Sequence, residues 1–279
     1  MLHLIAWAAP GTLLFRTWAE GVACLEVFAA AFPDLDALLV MPDHVHIKGD
    51  WPKAEVRLAR AETAFARRRF AMRGKEGPRG AFARHPEPTR IVNKDHERRT
   101  RRYIYLNPVR DEIVECPLAW PLSTYRDRLG LAAFPLVPKA NDPERLHRYV
   151  STDADSQLGG TPFPQLRARE SSIDDVIDAV SAITRVGPEA LTRGGRARTL
   201  AVETAWMAGI RDTGLLAKVF QLSPRAVRTA VSELPDSVYD PVPAAVEACL
   251  RVLGDPRFER LDAGGLLRRA DWAKLRHLR

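Results

Sequence analysis

Cysteine is scarce: Cys24, Cys116 and Cys249 are the only three in 279 residues. An odd and scattered set excludes a disulfide framework, and without a CxxC pair a cysteine-built zinc site is excluded too. Reducing, cytosolic surroundings are expected. No apolar run approaches the ~20 residues that a bilayer span needs. The first residues carry no basic segment ahead of a hydrophobic one, so neither a secretory leader nor a transmembrane helix is expected. No internal repeat and no low-complexity tract is found. The apolar strand-like segments are mostly aliphatic, which argues against a sheet that stacks RNA bases on aromatic side chains.

What remains is the balance of a globular protein, 46% hydrophobic and 28% charged, long enough for one large domain or two ordinary ones. The formal net charge is +7 and the pI near 9.6. The excess is local. Arg57 to Arg102 holds 15 Lys/Arg against 5 Asp/Glu, a surplus of +10 in one stretch. Such a cluster usually meets phosphate, although a solvated helix face is also consistent with it.

Along the chain, Leu2–Trp7 reads as a short apolar strand closed by Pro10-Gly11. Ala19–Phe32 has helical periodicity, and Leu35–Met41 and His44–Lys48 read as two further strands. Glu55–Met72 is a basic amphipathic helix, and Gly74–Pro88 a flexible basic loop. Asp95–Leu106 is helical and is expected to end at Asn107-Pro108, because a residue before proline is pushed out of the α region. A turn-rich segment places a linker near residues 150–170. Beyond it Ser172–Thr184, Arg196–Gly209, Thr213–Phe220 and Pro224–Leu234 are all helical in pattern.

Two segments carry chemistry. His44 and His46 flank Val45 in a strand, so their side chains share a face. Two imidazoles about 7 Å apart along that face can converge on one metal ion. Such a pair on a strand is more often two surface histidines. Tyr103 and Asn107 are four apart on one helix face, whereas Tyr105 is turned about 200° from Tyr103. A tyrosine hydroxyl can attack a phosphodiester and form a covalent link to DNA. A phenol titrates near about 10, so it needs activation or a polarised target. An ordinary tyrosine beside a helix-terminal asparagine is the alternative.

Met41-Pro42-Asp43-His44-Val45-His46, then Tyr103-Ile104-Tyr105-Leu106-Asn107-Pro108-Val109-Arg110, then Trp120-Pro121-Leu122-Ser123-Thr124-Tyr125 together resemble the REP-associated tyrosine transposases. These belong to the HUH transposases with a single tyrosine, and the resemblance covers roughly residues 1–130. It implies a ferredoxin-like α+β fold with both histidines on a central strand. It implies that Tyr103 attacks a phosphate of single-stranded DNA, leaving a 5′-phosphotyrosine and a free 3′-hydroxyl. It implies Mg²⁺ or Mn²⁺ held by His44, His46 and Asn107, and hairpin DNA from repetitive extragenic palindromes as the substrate. Two departures stand out. The first strand, Leu2-His3-Leu4-Ile5-Ala6-Trp7, lacks the family's Gln-Arg-Gly, and Asp43 replaces the usual asparagine beside the histidines.

In the C-terminal half, residues 213–234 read as a helix-turn-helix in which Ser223 caps and Pro224 opens the second helix. Arg225, Arg228 and Thr229 fall on that helix's exposed face, the face that enters a major groove. The segment from Arg193 to Val231 resembles the C-terminal DNA-binding helices of the replication initiator DnaA. The expected architecture is therefore α+β, with a ferredoxin-like HUH nuclease domain over 1–150 and an all-α DNA-binding domain over 171–279. The first cuts and joins single-stranded or hairpin DNA. The second docks on duplex DNA. Arg68, Arg69, Arg98, Arg101, Arg102, Arg225 and Arg228 are the expected DNA contacts, and the protein is expected in the cytoplasm, at the nucleoid. The rival reading is a domesticated regulator that binds DNA through its helix-turn-helix and no longer cuts.

Overall fold

In a computed structural model, residues 1–10, 12–74, 80–83, 87–111, 113, 117–132, 135–151 and 172–232 are described. The expected linker, Cys116, Cys249 and everything beyond 232 lie outside them.

The first strand, β1 (Leu2–Trp7), leads into helix α1 (Trp18–Ala31), capped by Thr17, whose hydroxyl accepts from the Glu20 amide. Two strands follow, β2 (Ala37–Val40) and β3 (His44–Gly49), joined by the Met41-Pro42-Asp43 turn. Helix α2 (Ala54–Met72) and the two-residue β4 (Thr89–Arg90) complete a β-α-β-β-α-β unit. The sheet order is β2-β3-β1-β4 and every pair is antiparallel. That topology is the ferredoxin-like arrangement.

Alternation sorts the side chains between two faces. Leu4 lies opposite Ile47, and Ala6 opposite Val45, in the β1–β3 register. Together with Leu38 and Val40 they form a fully aliphatic face. It packs under α1 and α2, where Phe28 and Phe65 meet Phe82 at ring-centroid distances of 5.8 and 5.9 Å. His3, Ile5, Trp7, His44, His46 and Lys48 point the other way, toward α3 (Lys94–Arg110).

α3 does not stop at Asn107. It runs through Pro108 to Arg110, with the Asp111 amide bonded to the Asn107 carbonyl at 2.9 Å. The proline removes one backbone donor near the helix end. Burial of Leu106, Asn107 and Pro108 against the sheet outweighs the local preference for an extended residue before proline. Tyr103 therefore sits well inside the helix, not in its last turn.

Asp36, just before β2, anchors α3. Its carboxylate accepts two bonds from Arg101, both 2.9 Å, one from Arg128 at 3.0 Å, and a very short one from the buried Lys48. Burial opposes its charge, but Arg101 and Lys48 outweigh that and hold the carboxyl below its usual range. On the outer edge of β2, the Val40 amide bonds to the Leu122 carbonyl, and Trp120 Nε1 donates to the Val40 carbonyl. The segment 120–124 thus covers an edge that would otherwise expose free backbone groups.

Two short helices missed by periodicity follow, α4 (Tyr125–Leu129) and α5 (Pro143–Val150). Then come α6 (Ile173–Thr184), with a Ser172/Asp175 capping box, α7 (Arg196–Met207), α8 (Thr213–Val219) and α9 (Pro224–Ser232). α6 packs against α1, and its C-cap Arg185 is tied to α4. The Arg185 guanidinium donates to both Asp127 oxygens, at 2.8 and 2.7 Å, and to the Ser123 carbonyl. Both side chains of this pair are buried, 5% and 0% exposed. Arg185 adopts a left-handed conformation at φ 58°, which costs a non-glycine residue about 1–2 kcal/mol. The bidentate pair holds it there.

Breaking a buried pair from one side leaves the other charge stranded. Arg185→Leu is expected to lower stability by about 3–5 kcal/mol, and Arg185→Leu with Asp127→Leu to recover most of that loss. Urea unfolding of the full chain measures both, and a single-variant loss below about 1 kcal/mol counts against a buried pair.

Candidate active site

The antiparallel register brings three histidines onto the α3-facing surface. His44 and His46 are two apart on β3, and His3 of β1 lies diagonal to His46, since Ile5 is directly opposite. All three rings are buried. His44 Nε2 and His46 Nε2 are 3.0 Å apart. The other nitrogen of each ring is engaged elsewhere. His44 Nδ1 is 2.6 Å from Asp43 Oδ1, and His46 Nδ1 is 3.0 Å from His3 Nε2. From α3, the Asn107 amide reaches within 2.7 Å of His46 Nε2. Trp7 lies over the His44 ring, centroids 4.6 Å apart.

Burial pushes the His44 and His3 imidazoles down to about 4, and His46 well below its ordinary value. At neutral pH all three are uncharged, as metal ligands must be. Asp43, when ionised, has to receive the Nδ1 proton of His44, which leaves a lone pair on His44 Nε2. An amide donating to His46 Nε2 requires a lone pair there as well. The two lone pairs then face each other at 3.0 Å, an arrangement that is repulsive in the absence of a cation. Adjacent ligands in an octahedral shell with bonds of about 2.1 Å lie about 3.0 Å apart. A half-turn of the Asn107 side chain exchanges its nitrogen for its oxygen and supplies a third donor. The residues therefore fit a divalent ion. Among the described residues no group of three or more His, Cys, Asp or Glu is arranged to hold one. His3 meets His46 from its far side and does not converge with the pair, so the candidate donor set is two imidazoles and one amide.

Tyr103 is one helical turn before Asn107 and 38% exposed, with its ring centroid 5.6 Å from that of His46 and 6.4 Å from that of His3. The Arg110 guanidinium sits 4.9 Å from its ring centroid, a contact that favours one ring orientation by about 0.5–1 kcal/mol. Tyr105 is buried and turned away, and its hydroxyl lies 3.4 Å from both the Asp36 carbonyl and Thr124 Oγ1. Burial pushes its phenol well up, so it is a poor nucleophile. Tyr125 is also buried, its hydroxyl 2.8 Å from His147 Nδ1.

No family model matches the chain, and no curated protein matches it. Among solved structures, a REP-associated tyrosine transposase bound to a REP hairpin aligns over 48% of this chain and 82% of its own, at 21% identity and a TM-score of 0.37. With a likeness this loose, the geometry of the site carries the functional reading.

The arginines expected at DNA divide into distinct groups. Arg69 is not a surface residue. It is 1% exposed, and its guanidinium donates to the carbonyls of Leu13, Leu14 and Gly80. Helical periodicity in α2 places it with Leu58, Ala61 and Phe65 on the buried stripe. Arg101 is bound to Asp36 and Glu97. Arg68 is paired with Glu26 at 2.8 Å on α2, across the sheet from the histidines. Arg98 and Arg102 lie over the Tyr149 ring, at 5.4 and 5.8 Å, on the same helix as Tyr103. Arg225 and Arg228 are exposed on α9, with Val227 between them buried. Sequence reasoning missed His3 as a member of the site. Its one signal was the odd spacing His3-Ile5-Trp7, which is informative only once the register with β3 is known.

Arg69→Leu is expected to cost about 2–3 kcal/mol by urea unfolding, because the carbonyls it serves lose their donor. Arg98→Leu, at an exposed position, is expected to stay within about 0.5 kcal/mol. The opposite ranking would place the Arg69 guanidinium outside the core.

Proposed function

We propose that this protein cuts and rejoins single-stranded DNA at hairpins through a covalent bond to Tyr103. The observation that supports this best is the convergence of His44 Nε2, His46 Nε2 and the Asn107 amide beneath an exposed Tyr103 on the same helix. The motif resemblance to REP-associated tyrosine transposases, including the HUH pair, points the same way.

In this reading the Tyr103 oxygen attacks a backbone phosphorus. The bond to the 3′ oxygen breaks, that oxygen takes up a proton, and a 5′-phosphotyrosine remains. Joining is the reverse, with a 3′-hydroxyl as attacker and the tyrosine as leaving group. His44, His46 and Asn107 would hold Mg²⁺ or Mn²⁺, which when bound would supply Lewis-acid polarisation of the phosphate. Arg110 keeps the Tyr103 ring in place. The exposed Arg99, four residues before Tyr103 on the same helix face, and Arg98 and Arg102 on the next stripe are the α3 arginines that would hold the strand's phosphates.

The helical region supplies a second DNA contact. α8 and α9 are joined by a short turn at Gln221, φ 51°, and Ser223 Oγ caps α9 by accepting from the Ala226 amide. Arg225 and Arg228 on α9 serve as duplex contacts of a helix-turn-helix, the part that resembles DnaA. A regulator that only binds DNA would need these arginines but has no use for an exposed tyrosine above buried, neutral histidines.

The test is incubation of the full chain with end-labelled hairpin DNA and Mn²⁺, resolved on a denaturing gel. The parent should give a covalent adduct that maps to Tyr103. Tyr103→Phe should abolish the adduct while hairpin binding persists, and His46→Ala should abolish divalent-dependent cutting. An adduct on Tyr105, or cutting that survives in Tyr103→Phe, overturns the assignment.

A further inference from the structure

We infer that Tyr149 is a positioning residue that gathers Arg98 and Arg102 into a clamp for one backbone phosphate of a single DNA strand. This rests on the reading of α3 as a DNA-facing helix, and not on the chemistry of Tyr103. Arg98 and Arg102 are four residues apart on α3, so their side chains are neighbours, and like charges at that spacing repel. Both guanidiniums nevertheless lie at one ring, 5.4 and 5.8 Å from the Tyr149 centroid. Arg101, between them in sequence, is paired with Asp36 and Glu97. Arg98 and Arg102 have no carboxylate partner among the described residues, and Arg102 Nε is buried there without a hydrogen-bond acceptor. A ring attracts each cation but neutralises neither. A phosphate does, through charge-assisted bonds to both.

The ring is fixed from behind. α5 opens at Asp142-Pro143, where the Asp142 carboxylate accepts from the Arg145 amide at 2.9 Å. Val150 is buried, and His147 Nδ1 lies 2.8 Å from the Tyr125 hydroxyl oxygen, which ties α5 to α4. Tyr149, half-buried, is left against the α3 arginines. An arginine packed on that ring has already given up rotamer freedom that a solvated one loses only on binding. Arg102 adjoins Tyr103 in sequence, and Arg98 precedes it by about 7.5 Å of helix rise. The clamp thus grips the strand beside Tyr103 rather than at it, and it reads no base.

The test is fluorescence anisotropy of the full chain with labelled single-stranded oligothymidylate in EDTA, over a range of salt. Tyr149→Phe keeps the ring and should bind as the parent does. Tyr149→Leu should weaken binding about 5-fold. Arg98→Gln with Arg102→Gln should lower the slope of log affinity against log salt by about 0.7, the share of one phosphate in a single strand. In that double variant Tyr149→Leu should cost nothing further, because the ring acts only through the arginines. Parent-like binding by Tyr149→Leu overturns the clamp, and so does an equal loss in both backgrounds, which marks Tyr149 as structural. A slope change of about 1.4 overturns the single phosphate. Calorimetry with inorganic phosphate should show no saturable binding, and binding that Tyr149→Leu removes reassigns the clamp to the free anion and overturns the strand. A parent that binds the strand in this pattern but forms no adduct with Mn²⁺ overturns the cutting and leaves the clamp standing.

Discussion

One carboxylate holds the two chemical layers together. Asp36 precedes β2, yet it draws in Lys48 from β3, Arg101 from α3 and Arg128 from α4. A lysine buried on the strand that carries the histidines would be intolerable without it, since a stranded ammonium costs several kcal/mol. With it, α3 is fixed along the sheet at a set height and rotation. Asn107 then reaches His46, and Tyr103 stands one turn away. The site's geometry follows from charge neutralisation at Arg101, about half a helical turn before Tyr103 and under two turns before Asn107.

The strands were legible because alternation survives in short segments. His44–Gly49 shows its two faces in sequence, and the pairing of His44 with His46 followed from period two alone. The end of α3 was misjudged because Asn107-Pro108 is a local stop signal, overridden by burial of Leu106, Asn107 and Pro108. α4 went unread because five residues are too few for periodicity to speak, and α5 because its Asp142-Pro143 start signal was not used. His3 and Asp36 act through partners 43 and 65 residues away. Their roles are properties of the register and of helix placement, which no window of sequence contains.

The basic stretch shows how a charge count and a charged surface differ. Arg57 to Arg102 is continuous in sequence, but the sheet divides it. The α2 arginines lie on one side, and those of α3 lie beside the histidines. Several are consumed internally, among them Arg69 by backbone carbonyls, Arg73 by Glu20 and Arg101 by Asp36. A +10 segment therefore presents a smaller charge to any one ligand, and the salt dependence of binding should reflect the α3 subset more than the whole.

Tyr103 and Asn107 share one helix with no hinge between them, and both histidines belong to the same chain. On the proposed reading, nucleophile and ligands are assembled in a single polypeptide. Two defective copies, one without the tyrosine and one without the histidines, then have no way to repair each other by pairing. On that reading a second copy of the chain would not be needed to complete either active centre.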